Sequence, residues 1–372
     1  MNDRDLLEFH REIVGIPSVS HQEKVLCDFL ERWLSDHGAA PVRVGNNVYA
    51  LAGERGQILC LNSHFDTVNA ASAWTRPPHE PHVEDGRVYG LGANDAKASV
   101  AAMVAAFLRA RAAAASGGIR LMLALVCEEE TGGEGAELLV PELVRRGLRP
   151  DAAVIGEPTG LDVAVAQKGL LILEVERKGR PCHAAHAKAL GIRNPIVDLA
   201  ADLTALKNVP LGPPHPLLGE TTMEPTVIAG GSARNSVPAE ATCILDLRTN
   251  PEPSHEELVA RLRKSGAQIR VISDRLRPYA IEAIAPIVGA ARRARPEAQL
   301  IGSRGVSDLV FFAAADVPSI KVGPGRTERS HTADEFVLES EVIEGARFYE
   351  KLARAWEVLT TEEKHGAALG SW

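Results

Sequence analysis

The sequence predicts an α/β protein in two parts. A mixed-sheet domain would use residues 1–169 and 276–372, with an α+β, ferredoxin-like module at 170–275 inserted into it. Three observations carry this. The chain has 372 residues, more than one ordinary compact domain holds. Helix-period and strand-period segments alternate through its first half. After Gln167-Lys168-Gly169 the texture changes to half-exposed strands in the order β-α-β-β-α-β, which fits a small sheet with helices on one face.

Taken in order, Ser20 reads as a helix N-cap, with Glu23 completing a capping box. Val25, Leu26, Phe29, Leu30, Trp33 and Leu34 then recur at helical spacing, and Gly38 ends the helix. A strand at Ile58 to Asn62 stops at SHFDTV, and a polar, Pro-rich loop follows around Pro77 to Asp85. Ala93 to Ala115 reads as a long buried helix. Arg120 to Cys127 reads as a buried strand running into Glu128-Glu129-Glu130, and Ala152 to Ile155 as another ending at Gly156-Glu157. In the module, strands are expected at Leu170 to Lys178, Pro225 to Ala229, Thr242 to Arg248 and Gln268 to Ser273. Helices are expected at Pro195 to Lys207 and His255 to Lys264. The main domain resumes with helix Glu282 to Arg293, strand Ser319 to Val322 and helix Glu339 to Leu359. Thr360 to Trp372 reads as a frayed tail.

Composition narrows the function classes. The chain is 45% hydrophobic and 24% charged, with a formal net charge of −8, which argues against nucleic acid or an anionic membrane as a partner. Its apolar runs are far shorter than the ~20 residues of a membrane span, and the charged, amphipathic first residues lack the apolar core of a secretory signal. Five scattered Cys with no CxxC pair fit reduced thiols in a cytoplasmic protein.

The chemistry sits at strand ends. In Ser63-His64-Phe65-Asp66, an extended chain points His64 and Asp66 to one side. A carboxylate beside a metal-binding His fixes its tautomer and orientation. Asp95 follows a Gly-rich loop, and Glu128, Glu129 and Glu130 directly follow a buried strand. Glu157 and His331 complete the set. Singly each is weak: His-x-Asp is more often a structural hydrogen bond, and a Glu triplet is usually solvated. No GxSxG elbow supports a serine hydrolase, and Gly323-Pro324-Gly325 lacks the spacing of a phosphate loop.

Together SHFDTV, GLGANDAK, EEETGGEGA, GEPTG and ERSHTADEF occur in the order found in the acetylornithine deacetylase and succinyl-diaminopimelate desuccinylase family. The chain resembles that family of di-zinc amide hydrolases along nearly its whole length. The likeness continues through GRPCHAAHA and GGSARNSVPAEATCILDLRTN in the module. It implies a zinc-exopeptidase-like fold with the module as a dimerisation and lid domain, hinged near Lys168 and Arg275. It also implies two Zn²⁺, with Co²⁺ or Mn²⁺ as substitutes; the Irving–Williams order favours zinc among the three. His64 and Glu157 would hold one ion, Glu130 and His331 the other, and Asp95 would bridge them. Glu129 would be the general base and Asp66 the orienting acid. A shift of register by one would instead make Glu128 the base and Glu129 the ligand.

From the module, His183 would donate to the oxyanion across a homodimer, with His186 the competing choice. Asn235 and Arg248 would contact substrate, Arg248 by gripping a carboxylate. VAQKGLL, DLRTN and ERSHTADEF look most like acetylornithine deacetylases, so N2-acetyl-L-ornithine leads as substrate. N-succinyl-ornithine, N-succinyl-diaminopimelate, N-acetyl-citrulline, a carrier-protein conjugate or a dipeptide are the alternatives, and a non-catalytic binding protein is the reading from another class. Leu91 and Ala98 stand where relatives often carry Arg and Gly. Arg326 and Arg329 flank His331 and would suit a substrate with an extra carboxylate, or equally stand as solvated cations.

Overall fold

The computed structural model describes residues 1–369, and the chain divides into two compact units. The first comprises Met1–Val165, Ile281–Ile301 and Ser307–Trp372; the second comprises Ala166–Ala280 and Gly302–Val306.

The first unit is built on a mixed sheet. Its strands run in the order Val42–Val44, Asn47–Ala52, Ile119–Val126, Gln57–His64, Ala152–Ile155, Ser319–Lys321 and Val163–Gln167. The central pairings, among Ile119–Val126, Gln57–His64, Ala152–Ile155 and Ser319–Lys321, are parallel. These strands are buried nearly throughout, as continuous Leu, Ile and Val runs require when helices cover both faces. Parallel strands leave their carboxyl ends at one edge, where ligands bind in open α/β sheets. His64, Glu128-Glu129-Glu130 and Glu157 all stand at or just past such ends.

The helix Lys97–Ser116 begins four residues later than its apolar pattern predicts. Ala93 to Ala96 instead form the turn that carries Asp95. Val100, Met103, Val104 and Phe107 are buried, and the small residues between them let the helix lie close to the sheet and to the helix Glu339–Leu369. Leu91 and Ala98, the two departures from the family pattern, are also buried. Gly156 marks a close approach: a Cβ there would sit 2.8 Å from Ser99 Cβ and Met103 Cε, so a side chain just before Glu157 would force the helix or strand to shift.

Two expectations fail here. Ser20 is not a helix cap: the helix Lys24–Asp36 starts after Glu23, and the Ser20 hydroxyl donates to Asp66 Oδ2. The Ser20 hydroxyl is turned toward the Asp66 carboxylate, which it serves as a donor, and its oxygen caps no N–H group of the helix. The final helix also continues past Thr360, which is buried and bonds back to Trp356 and Glu357, through Leu369; residues 370–372 lie outside the described residues.

The second unit carries a four-stranded antiparallel sheet in the order Thr222–Gly230, Glu240–Thr249, Gly169–Lys178 and Gln268–Leu276. Alternate residues Leu171, Leu173, Val175, Cys243, Leu245 and Leu247 point into its core. The helices Pro195–Leu206 and His255–Arg263 cover that face with Leu199, Leu206, Leu258 and Leu262. Asn194 caps the first helix through the Ile196 N–H, and Ser254 with Glu257 forms a capping box on the second. The strand Thr222–Gly230 is a sheet edge, with Val227 and Ile228 exposed.

Candidate active site

Seven of the residues singled out in the sequence converge within the first unit. His64 ends its strand and is buried. Its Nδ1 lies 3.3 Å from Asp66 Oδ1. Its Nε2 lies 3.3 Å from Asp95 Oδ1 and 3.9 Å from Glu157 Oε1. Asp95 Oδ2 faces another group: His331 Nε2 is 3.8 Å away, and the same nitrogen is 2.9 Å from Glu130 Oε1. The two oxygens of Asp95 are thus shared between a His64–Glu157 pair and a His331–Glu130 pair, the arrangement a bridging carboxylate needs.

The Glu run sorts itself by geometry. Glu128 adopts φ +59° and its carboxylate lies toward His21, 3.5 Å from Nδ1. Glu130 meets His331. Glu129 offers a carboxylate oxygen within 4.8 Å of donor atoms on His64 and Glu157. Asp66 is the hub behind them, accepting the Glu129 and Glu130 backbone N–H groups at 3.1 Å each. One buried carboxylate therefore orients His64 and sets the turn that presents both glutamates.

Electrostatics show what the cluster lacks. Burial pushes the Glu129 carboxyl well above the usual range, with Glu157 adding to it. Burial raises Glu157 to about 7 despite Lys321 and His64. Burial alone would lower His64, but hydrogen bonds to Asp66 and Asp95 outweigh it and hold His64 well above an ordinary imidazole. The Glu130 hydrogen bond lifts His331 to about 9. Glu157 Oε1 is buried without a hydrogen-bond donor. So many carboxylates packed together call for added positive charge. Imidazole nitrogens and carboxylate oxygens around a shared Asp suit a pair of borderline divalent cations.

The chain matches peptidase family M20/M25/M40 over residues 60–355. It belongs to that family. Among curated relatives of this M20 chain, a succinyl-diaminopimelate desuccinylase of Phenylobacterium zucineum is 31% identical, over 89% of this chain and 93% of its own length. A LysW-lysine/LysW-ornithine hydrolase of Sulfurisphaera tokodaii is 27% identical, covering 92% and 93%. Among solved structures, a tripeptidase of Staphylococcus aureus superposes with a TM-score of 0.78 at 21% identity, covering 97% of this chain and 99% of its own. A dinuclear metal-binding M20 peptidase of Bacillus subtilis gives 0.73 at 17%, covering 96% and 98%. The mixed-sheet exopeptidase-like fold is that of the family, and the protein is an M20 metal-dependent hydrolase of linear amides.

His183, Asn235 and Arg248 belong to the second unit. Cys182–His183 pairs with Ser236–Val237, and the Ala184 N–H donates to Asn235 O, so His183 and Asn235 are neighbours. His183 Nδ1 accepts the Ala185 N–H, and its ring faces that of His186 at 5.5 Å. Arg248 is half-exposed and already forked onto Asp246, at 2.9 and 3.1 Å. Arg329 does not match the expectation of a cation open to substrate: both its terminal nitrogens are held by Glu341, and its guanidinium lies over Phe336.

Sequence reasoning missed three members of the first-unit cluster. Glu335 is buried and takes the Gly92, Asn94 and Asp95 N–H groups at 3.1, 2.8 and 2.9 Å. It clamps the Asp95 turn from a point four residues beyond His331. Lys97, fully buried, donates to Ile13 O and Ile16 O. Burial lowers its pKa to about 7, against Glu335 and Asp66, which raise it. Asp308 is buried with Oδ1 unpartnered, and burial pushes its carboxyl well above the usual range. ERSHTADEF contained Glu335, but nothing in its spacing marked a backbone clamp.

Proposed function

We propose that this M20 enzyme hydrolyses the amide of a small N-acylated amino acid. The split of the two Asp95 oxygens between His64–Glu157 and His331–Glu130 carries the reading. His64, Asp95 and Glu157 would hold one divalent cation, and Asp95, Glu130 and His331 the other. Such a pair polarises an amide carbonyl and lowers the pKa of water. Glu129 takes the proton of the attacking water as oxygen adds to the acyl carbon, and delivers it to the nitrogen as the C–N bond breaks, giving a carboxylate and a free amine. Its burial beside Glu157 suits a base that must hold a proton between those steps. Asp66 keeps His64 in the tautomer that turns Nε2 inward.

For the acyl group, desuccinylases among the relatives near 30% identity favour a succinyl amide, with N-succinyl-diaminopimelate first. N2-acetyl-L-ornithine is the second reading, favoured by VAQKGLL, DLRTN and ERSHTADEF. A relative named for LysW-ornithine keeps an ornithine amine among the products to test. His183 and Asn235 would serve the acyl oxygen and substrate from the module, His183 from a partner subunit. Arg248 would exchange Asp246 for a substrate carboxylate.

The test is release of free amine from both substrates by cation-loaded and chelator-stripped protein. Cation-dependent release from the succinyl substrate, with less from the acetyl one, supports the first reading, and the reverse order selects the second. No release from either by folded, loaded protein rejects both.

A further inference from the structure

Beside the turn that presents Glu129 and Glu130 lies a second group of donor atoms, which the hydrolytic reaction does not use. Glu23, Cys127 and Glu128 each place one ligand atom within 4.8 Å of the others. His21 Nδ1 lies 3.5 Å from Glu128 Oε1. The group joins the chain just before the helix Lys24–Asp36 to the residues just after the strand Ile119–Val126.

Glu23 is the independent sign that something is to be held here. It is fully buried, and Oε1 is used by the His21 N–H at 2.8 Å. Oε2 is buried with no hydrogen-bond partner. A buried carboxylate oxygen left this way costs free energy unless a proton or cation meets it. The charged groups acting on Glu23 are Asp66 and Glu128, both acidic, and neither supplies that partner. Cys127 is buried too, its Sγ 3.4 Å from Asn47 Oδ1. His21 and Glu128 are partly solvent-exposed and give a way in from the surface.

We propose that Glu23, Cys127 and Glu128, with His21 at the mouth, form a third cation site separate from the paired one. Two carboxylates, a thiolate and an imidazole select a borderline or soft divalent ion such as zinc, cobalt or cadmium over magnesium or calcium. Without the ion, burial together with Glu128 and Glu23 keeps the Cys127 thiol protonated. Binding must therefore displace that proton: the S–H bond breaks, a sulfur–metal bond forms and one proton goes to solvent.

Sulfur makes the test specific, because the donors around Asp95 are all nitrogen and oxygen. The whole protein, stripped with chelator, is titrated with Co²⁺ and followed by absorbance. A thiolate-to-cobalt charge-transfer band in the near ultraviolet is expected, absent in Cys127→Ser. Glu23→Gln keeps the fold-neutral shape of the side chain, and there the band should need about tenfold more cobalt or worse. It also covers the case in which Cys127→Ser does not fold. The band alone is the readout, so the result stands apart from whether the paired site fills. A titration that saturates with no sulfur band overturns the proposal, as does a band that persists in Cys127→Ser or is unmoved in Glu23→Gln.

Discussion

Asp66 shows how much one residue can settle. Burial alone would raise its pKa, yet the hydrogen bonds from His64, Ser20 and the Glu130 backbone outweigh burial and hold it below the ordinary range. Charged throughout the working range, it fixes His64 and ties down the turn bearing Glu129 and Glu130. Glu129 has the opposite design. It has no strong donor of its own and is partly buried near Glu157, so it suits proton transfer better than charge storage. Glu129→Gln should keep both cations while losing turnover by roughly 10²–10⁴-fold, the usual weight of a general base. Metal analysis beside steady-state kinetics checks this, and near-normal turnover would remove Glu129 from that role. Legibility was good at this scale. His64, Asp66, Asp95, Glu130, Glu157 and His331 were named from motif order, and the structure brings them together. The orphaned oxygen of Glu23 was not legible, because what surrounds it comes from residues a hundred positions away.

At the scale of elements, the segment from His331 to Glu335 does several jobs in five residues. His331 meets Glu130, Asp334 takes the Thr75 N–H and hydroxyl, and Glu335 takes three N–H groups of the Asp95 turn. His331 and Asp334 sit at φ +58° and +53°, in the left-handed region, which costs about 1–3 kcal/mol for such residues and persists only where surroundings enforce it. Glu335→Ala would orphan three buried donors at about 1–3 kcal/mol each, so it should lower the melting temperature and lose cation occupancy together. Glu335→Gln retains an acceptor oxygen and should recover part of both. Unchanged cation affinity in folded Glu335→Ala would refute the clamp.

The first helix, Asp3–Gly15, offers a pH test remote from the chemistry. Its buried His10 bonds to Ala93 O, and burial lowers its pKa from 6.5 to about 4. The unfolded chain takes up this proton first as pH falls, so the contribution is full above pH 6.5 and is lost progressively down to about 4, by roughly 3 kcal/mol at most. His10→Gln, which can still donate to Ala93 O, should flatten that part of the stability–pH curve in denaturant titrations. An identical slope in the variant would count against the shift.

For the whole molecule, the exposed edge strand Thr222–Gly230 needs an explanation, since an open apolar edge invites pairing. We propose that a second copy covers it. Ile228→Lys should then shift the protein to monomer in light scattering without loss of cation content. If His183 acts from the partner, turnover should fall in step. A wild-type monomer with full activity would exclude both ideas. Among the described residues no helix is long and apolar enough to cross a membrane.

The sequence alone was enough for the broad architecture and for the residues that the structure brings together around Asp95, for a physical reason. Hydrophobic periodicity is local, and the motifs rich in His and carboxylates lie where strands stop, so both survive in a one-dimensional string. It also placed the module's strands and helices within a few residues. Ser20 was misjudged because a capping box is a local pattern, while the competing acceptor, Asp66, lies 46 positions along the chain. The pairing of Arg329 with Glu341 is invisible in the sequence, because Glu341 comes close only once the segment turns. Each member of the run Glu128, Glu129 and Glu130 meets a different neighbour: His21, the His64–Glu157 pair or His331. Those meetings, like the three N–H groups on Glu335, exist only when distant segments pack, and only the tertiary structure decided them.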